Sequence, residues 1–81
     1  MTFTVYSKPG CPYCVKLEEV LNHLEIDSVI YTLDEDFTRD QFYSEFGEGS
    51  TFPQVVFGSQ ILGGATDTIN FLKEQNLCCQ D

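Results

Sequence analysis

The chain has no tryptophan and little positive charge: 4 Lys or Arg stand against 13 Asp or Glu, for a formal net charge of −9. Such a surface repels phosphate backbones, and anionic membrane surfaces likewise, so neither nucleic acid nor a membrane is an expected partner. The acidity suits solubility without specifying an activity. No apolar run approaches the roughly 20 residues of a membrane-spanning helix. The opening "MTFTVYSKPG" has no basic start followed by an apolar stretch, so no secretory leader is expected and the reading favours a reducing cytoplasm. Repeats, low-complexity tracts and linkers are missing too, and 81 residues make one domain, residues 1–81.

What is present is an alternation of strand and helix patterns. "TFTVY" (2–6) alternates and is rich in β-formers, so it reads as a strand. "SKPG" breaks it, and from Pro12 the apolar spacing turns helical, with Leu17, Val20, Leu21 and Leu24 on one face and Lys16, Glu18, Glu19 and Glu25 toward water. "SVIYTL" (28–33) predicts a second strand. A short helix carrying Phe42, Tyr43 and Phe46 follows the acidic "DEDF" and closes at Gly47 and Gly49. "PQVVF" (53–57) predicts a third strand, the "GSQ" turn a hairpin into a fourth at 61–62, and "ATDTINFLKEQNL" a last helix. The order β-α-β-α-β-β-α implies an α/β fold. Its β-α-β opening needs a parallel strand pair, the hairpin makes the four-stranded sheet mixed, and the three helices should cover both faces.

Two of the four cysteines, Cys11 and Cys14, bracket Pro12 and Tyr13 where the first strand gives way to the first helix. A structural staple is a poor explanation, because so small a loop constrains the unfolded chain little and cytosolic disulfides are rare. A zinc site would need Cys78, Cys79 and His23, and adjacent cysteines make an awkward second pair. A redox pair fits the local physics. Cys11 stands at a helix start, where free backbone N–H groups and the helix dipole stabilise a thiolate, and Lys8 and Lys16 flank the pair. Cys14 lies one turn further in, more shielded and placed to resolve a mixed disulfide on Cys11. Strand, C-x-x-C and helix within a β-α-β unit form the thioredoxin-like signature.

Three stretches together narrow this further: "CPYC" at 11–14, "TFPQVV" at 51–56, and "GG" at 63–64 followed by "ATD". With them nearly the whole chain resembles a glutaredoxin of the dithiol class, with the minimal thioredoxin/glutaredoxin fold. The resemblance implies a glutathione-dependent thiol–disulfide oxidoreductase that works as a monomer with no bound metal. Its implied partners are glutathione, as reductant, and disulfide-containing or glutathionylated proteins. Electron donation to enzymes such as ribonucleotide reductase lies within the family's range, and nothing in the chain selects it. The resemblance implies catalysis by Cys11 and Cys14. It implies a cis Pro53 that exposes the backbone of Phe52, beside Thr51, to pair with the cysteinyl part of glutathione. Gly64, Thr66 and Asp67, at a helix N-terminus, are then expected to hold the γ-glutamyl end, and Gly63 and Gly64 to let backbone approach closely. Lys8 and Tyr13, with Arg39 favoured over Gln41, are expected around the glycine carboxylate. The family's position there falls on Asp40, which has the wrong charge, and the family often has valine where Phe52 stands. The alternative reading is a glutathione-ligated iron–sulfur cluster carrier; Pro12 resembles sequences that are poor at this.

The remaining features read plainly. His23 is expected at the surface and Cys78 and Cys79 at a frayed end without a role. Phe3, Tyr31, Phe42, Phe57 and Phe71 are expected in the core, and "DEDF" in a solvated loop.

Overall fold

In "FTVYS" the odd residues Phe3, Val5 and Ser7 are buried and the even ones half-buried, so this strand is covered on both faces. The structure, a computed structural model, describes residues 2–77. Strand β1 (Phe3–Ser7) is central in the sheet. It pairs in parallel with β2 (Ser28–Thr32) and antiparallel with β3 (Gln54–Phe57), and β3 pairs antiparallel with β4 (Gln60–Gly63), giving the order β2-β1-β3-β4. Helices α1 (Pro12–His23), α2 (Arg39–Phe46) and α3 (Ala65–Glu74) complete the expected β-α-β-α-β-β-α order. None of the helices described is long and apolar enough to cross a membrane.

The two faces carry two cores. On one, Leu17 and Leu21 of α1 and Leu72 of α3 close over Phe3, Val5 and Val55. The helical spacing read from the sequence thus buries the face it marked, although Glu18 does not simply face water: its Oε2 accepts a hydrogen bond from Ser7 Oγ at 3.2 Å. That bond ties the end of β1 to α1 just before the cysteines. On the other face, Phe42 of α2 packs with Leu33, Phe37 and the half-buried Tyr6, Tyr43, Phe46 and Phe52.

The second core corrects two expectations. "DEDF" is only partly a solvated loop. Leu33 and Phe37 form an isolated bridge, Asp36 Oδ2 accepts from the Thr32 N–H at 2.8 Å, and Phe37 is buried because the loop folds back onto α2. Tyr31 is not core: it is 39% exposed on β2, the first strand in the sheet order and an edge among the described residues. Phe3 and Phe42 are buried and Phe57 and Phe71 half-buried, in line with the expectation for them. His23 is exposed. Cys78 and Cys79 lie outside the described residues.

Candidate active site

Helix α1 starts one residue after Cys11, because Pro12 lacks the N–H that a first-turn residue would leave unbonded and its fixed φ suits the position. Cys11 is the N-cap, with extended backbone (φ −106°, ψ 106°). Its sulfur accepts a hydrogen bond from the Cys14 backbone N–H at 3.2 Å. A first-turn amide, that of Cys14, therefore points at Cys11 Sγ, an arrangement that stabilises negative charge on it. Cys14 falls in line with Leu17 and Leu21 and faces the core. The two cysteines are joined as a disulfide with Cα atoms 5.2 Å apart.

Cys11 does not stand on an exposed tip. It is 6% exposed against 1% for Cys14, so the order of shielding is as read and its size is not. Cys11 Sγ is bonded to Cys14 Sγ, and the Phe52 carbonyl oxygen lies 3.8 Å from it. Cys11 reaches solvent along a groove of about 340 Å³ that it lines with Lys8, Tyr13, Arg39, Thr51 and Phe52. Tyr13, 63% exposed, shares this wall and also that of a second groove of about 320 Å³. The second groove runs past Thr51, Phe52 and Pro53 to Gly64, Thr66 and Asp67 at the start of α3. The Phe52–Pro53 peptide bond is cis.

Apart from Cys14, which sits behind Cys11, the residues named for catalysis and glutathione, with Arg39 as the favoured one of its pair, thus line one groove or the other. The structure separates Arg39 from Gln41. Gln41 Oε1 accepts the Thr38 backbone N–H at 2.9 Å and its own N–H donates to Thr38 Oγ1 at 3.2 Å, a reciprocal cap that occupies its side chain at the head of α2. Arg39 lines the groove of Cys11 instead. Two of the chain's four Lys or Arg residues, Lys8 and Arg39, therefore line the groove of Cys11 in a molecule with net charge −9. Tyr43 and Ser50 were missed as lining residues. Tyr43 carried a signal, being four residues after Arg39 and so on the same face of α2.

At α3 the N-cap is Gly64. Asp67 sits in the first turn, and its Oδ2 accepts the Gly64 N–H at 3.2 Å. Of the two glycines, Gly63 is the demanding one. Its φ is +111°, and a Cβ there would collide with the Asp67 carboxylate. A Cβ on Gly64 would meet only the Pro53 carbonyl oxygen, at 3.6 Å. Phe52 completes the site from behind. Its ring stacks on Phe42 (centroids 4.1 Å apart, planes 10° apart) and on Phe37 (6.3 Å, 20°), and Lys8 Nζ lies over it, 5.2 Å from the centroid.

The glutaredoxin family model matches residues 3–62, which include the cysteine pair and the cis proline and stop short of α3. Glutaredoxin 1 of Rickettsia prowazekii is 31% identical over 81 residues, covering 94% of this chain and 82% of its own length. Glutaredoxin-1 of Bos taurus is 35% identical over 72 residues, covering 82% and 68%. Among solved structures, glutaredoxin 1 from Francisella tularensis superposes with a TM-score of 0.74 at 28% identity, over 93% of this chain and 96% of that one. With its four-stranded mixed sheet, three helices and cysteine pair at the head of α1, the chain belongs to the glutaredoxin family, the glutathione-dependent thiol–disulfide oxidoreductases.

Proposed function

We propose that this chain reduces both protein disulfides and glutathione mixed disulfides, with Cys11 as nucleophile and Cys14 as resolving thiol. The observation that carries the reading is the Cys14 N–H donating to Cys11 Sγ at 3.2 Å, at a helix N-terminus that opens on a groove bordered by Lys8 and Arg39. A hydrogen bond and dipole that favour the thiolate make Cys11 both an attacking group at neutral pH and a good leaving group.

The Cys11 thiolate attacks one sulfur of the substrate disulfide, and the other sulfur leaves as a thiolate that takes up a proton. On a protein disulfide, Cys14 then attacks Cys11, releasing the second substrate thiol and leaving the Cys11–Cys14 disulfide. One glutathione thiolate opens that disulfide by bonding to Cys11. A second takes the first away as glutathione disulfide and restores the dithiol. Two glutathione thiols are oxidised for each disulfide reduced. With a glutathione mixed disulfide, Cys11 accepts the glutathionyl group directly and Cys14 is not needed.

In this reading the cysteinyl part of glutathione pairs with the Phe52 backbone beside Thr51 and the cis Pro53. The γ-glutamyl end lies along Gly64, Thr66 and Asp67, where the first-turn amides of α3 suit its carboxylate and an aspartate suits its ammonium. The glycine carboxylate meets Lys8 and Arg39 beside Tyr13. The chain works as a monomer in a reducing compartment, without metal.

The test is turnover of a glutathione mixed disulfide, coupled to glutathione reductase, with wild type and both cysteine variants. Cys11→Ser is expected to abolish all turnover. Cys14→Ser keeps deglutathionylation and loses the dithiol-dependent reduction of protein disulfides. Activity surviving in Cys11→Ser, or equal loss of both reactions in Cys14→Ser, contradicts the assignment.

A further inference from the structure

Lys8 is one of 4 cations in a chain with 13 carboxylate side chains. A carboxylate partner would hold its ammonium in place but neutralise it. The structure gives it an uncharged partner: Nζ lies over the Phe52 ring, 5.2 Å from the centroid. The ring face is the negative end of its quadrupole, so it attracts the cation and leaves its net charge in place. The ring is itself held. Phe42, a fully buried residue of α2, stacks on Phe52 at 4.1 Å with the planes 10° apart. That stacking fixes the plane of the Phe52 ring on which Lys8 rests. Phe37 flanks the pair, 5.8 Å from Phe42 and 6.3 Å from Phe52. The long Lys8 stem, free to rotate on its own, thus ends against a surface anchored in the second core.

We propose that the Phe52 ring is the positioning group for Lys8, holding its ammonium un-neutralised at the groove of Cys11 so that it meets the glycine carboxylate of glutathione. This rests on the reading of Lys8 as a carboxylate ligand in the proposed function. It assigns the Phe52 side chain a task separate from that of its backbone.

Three variants separate the parts. Phe52→Leu keeps apolar bulk in the second core and removes the quadrupole, Phe52→Tyr keeps the ring, and Lys8→Met keeps the stem and removes the charge. The contact is read directly from the proton shifts of the Lys8 ε-methylene. These lie upfield in wild type and Phe52→Tyr through the ring current, and return to the ordinary lysine value in Phe52→Leu. Glutathione kinetics read its consequence. Lys8→Met raises KM about tenfold, as expected for losing a charge-assisted hydrogen bond. Phe52→Leu raises it about two- to fivefold, with the effect on KM rather than kcat, and Phe52→Tyr restores it. In the Lys8→Met background Phe52→Leu adds nothing. The same KM increase from Phe52→Leu with or without Lys8, or an ε-methylene shift that ignores Phe52→Leu, overturns the proposal. An unchanged KM in Lys8→Met overturns the glutathione reading of Lys8 instead, and the ring shift then supports the positioning contact by itself.

Discussion

Replacing Gly63 by alanine should damage the fold, whereas the same change at Gly64 should damage the site. Gly63 has φ +111°, and its Cβ would run into the Asp67 carboxylate. Holding an L-residue in that backbone region costs about 1–3 kcal/mol. Asp67 must also swing away, giving up the hydrogen bond its Oδ2 accepts from the Gly64 N–H, a helix-end interaction of about 1 kcal/mol. The sum is about 2–4 kcal/mol. Unfolding entropy of about 2.1 cal/mol/K per residue makes each kcal/mol worth about 6 °C in a chain of this length, so Tm should fall by about 12–24 °C. Gly64 has φ −84°, and a Cβ there meets the Pro53 carbonyl oxygen at an ordinary 3.6 Å. Alanine is a poorer N-cap than glycine but restricts the unfolded chain, and the two effects largely offset, leaving less than about 1 kcal/mol. The new methyl group projects where the second groove runs, so KM for glutathione should rise. Thermal and urea unfolding followed by far-UV circular dichroism, together with coupled kinetics, read both quantities. Equal loss of Tm in the two variants would refute the reasoning.

Three further outcomes follow from the same geometry. Arg39→Gln should raise KM for glutathione with little change in Tm, while Gln41→Ala should do the reverse, costing about 1 kcal/mol through the lost cap to Thr38; a KM effect confined to Gln41→Ala contradicts the placement. Phe37→Ala, which removes a buried ring beside the Phe42–Phe52 pair, should destabilise by about 3–5 kcal/mol in urea titrations; a cost within the range of a surface substitution would return that loop to solvent. Burial first, then the charges of Glu45 and Tyr31, raise the Tyr6 phenol above its ordinary value of 10.0. The unfolded chain therefore loses this proton first, so the contribution to stability is intact below about pH 10 and is lost as pH rises through the folded value. Urea midpoints between pH 9 and pH 11 should fall more steeply in wild type than in Tyr6→Phe, and parallel slopes speak against it.

Much of this was legible because it is local. Alternation in "FTVYS" and the spacing of Leu17 and Leu21 located β1 and α1, and proline before tyrosine marked where the helix starts. Cys11 at a helix start and Cys14 one turn inside follow from that boundary alone. Phe37 was not legible, since nothing in "DEDF" says that the chain turns back there to bury one side chain among α2 residues. Nor was the burial of Cys11, because the backbone beside its sulfur belongs to Phe52, 41 residues away. Arg39 and Gln41 are both polar residues in the first turn of one helix, and only the capping bonds of Gln41 tell them apart.

The sequence by itself determined the order of elements, the unequal positions of the two cysteines and the three motifs of the family, because periodicity, helix starts and turn residues act within a few positions of the chain. The tertiary structure decided what those residues face: Lys8 over the Phe52 ring and Arg39 beside Cys11. These contacts join segments brought together only when β3 enters the sheet beside β1 and α2 packs across its second face, so no local pattern encodes them.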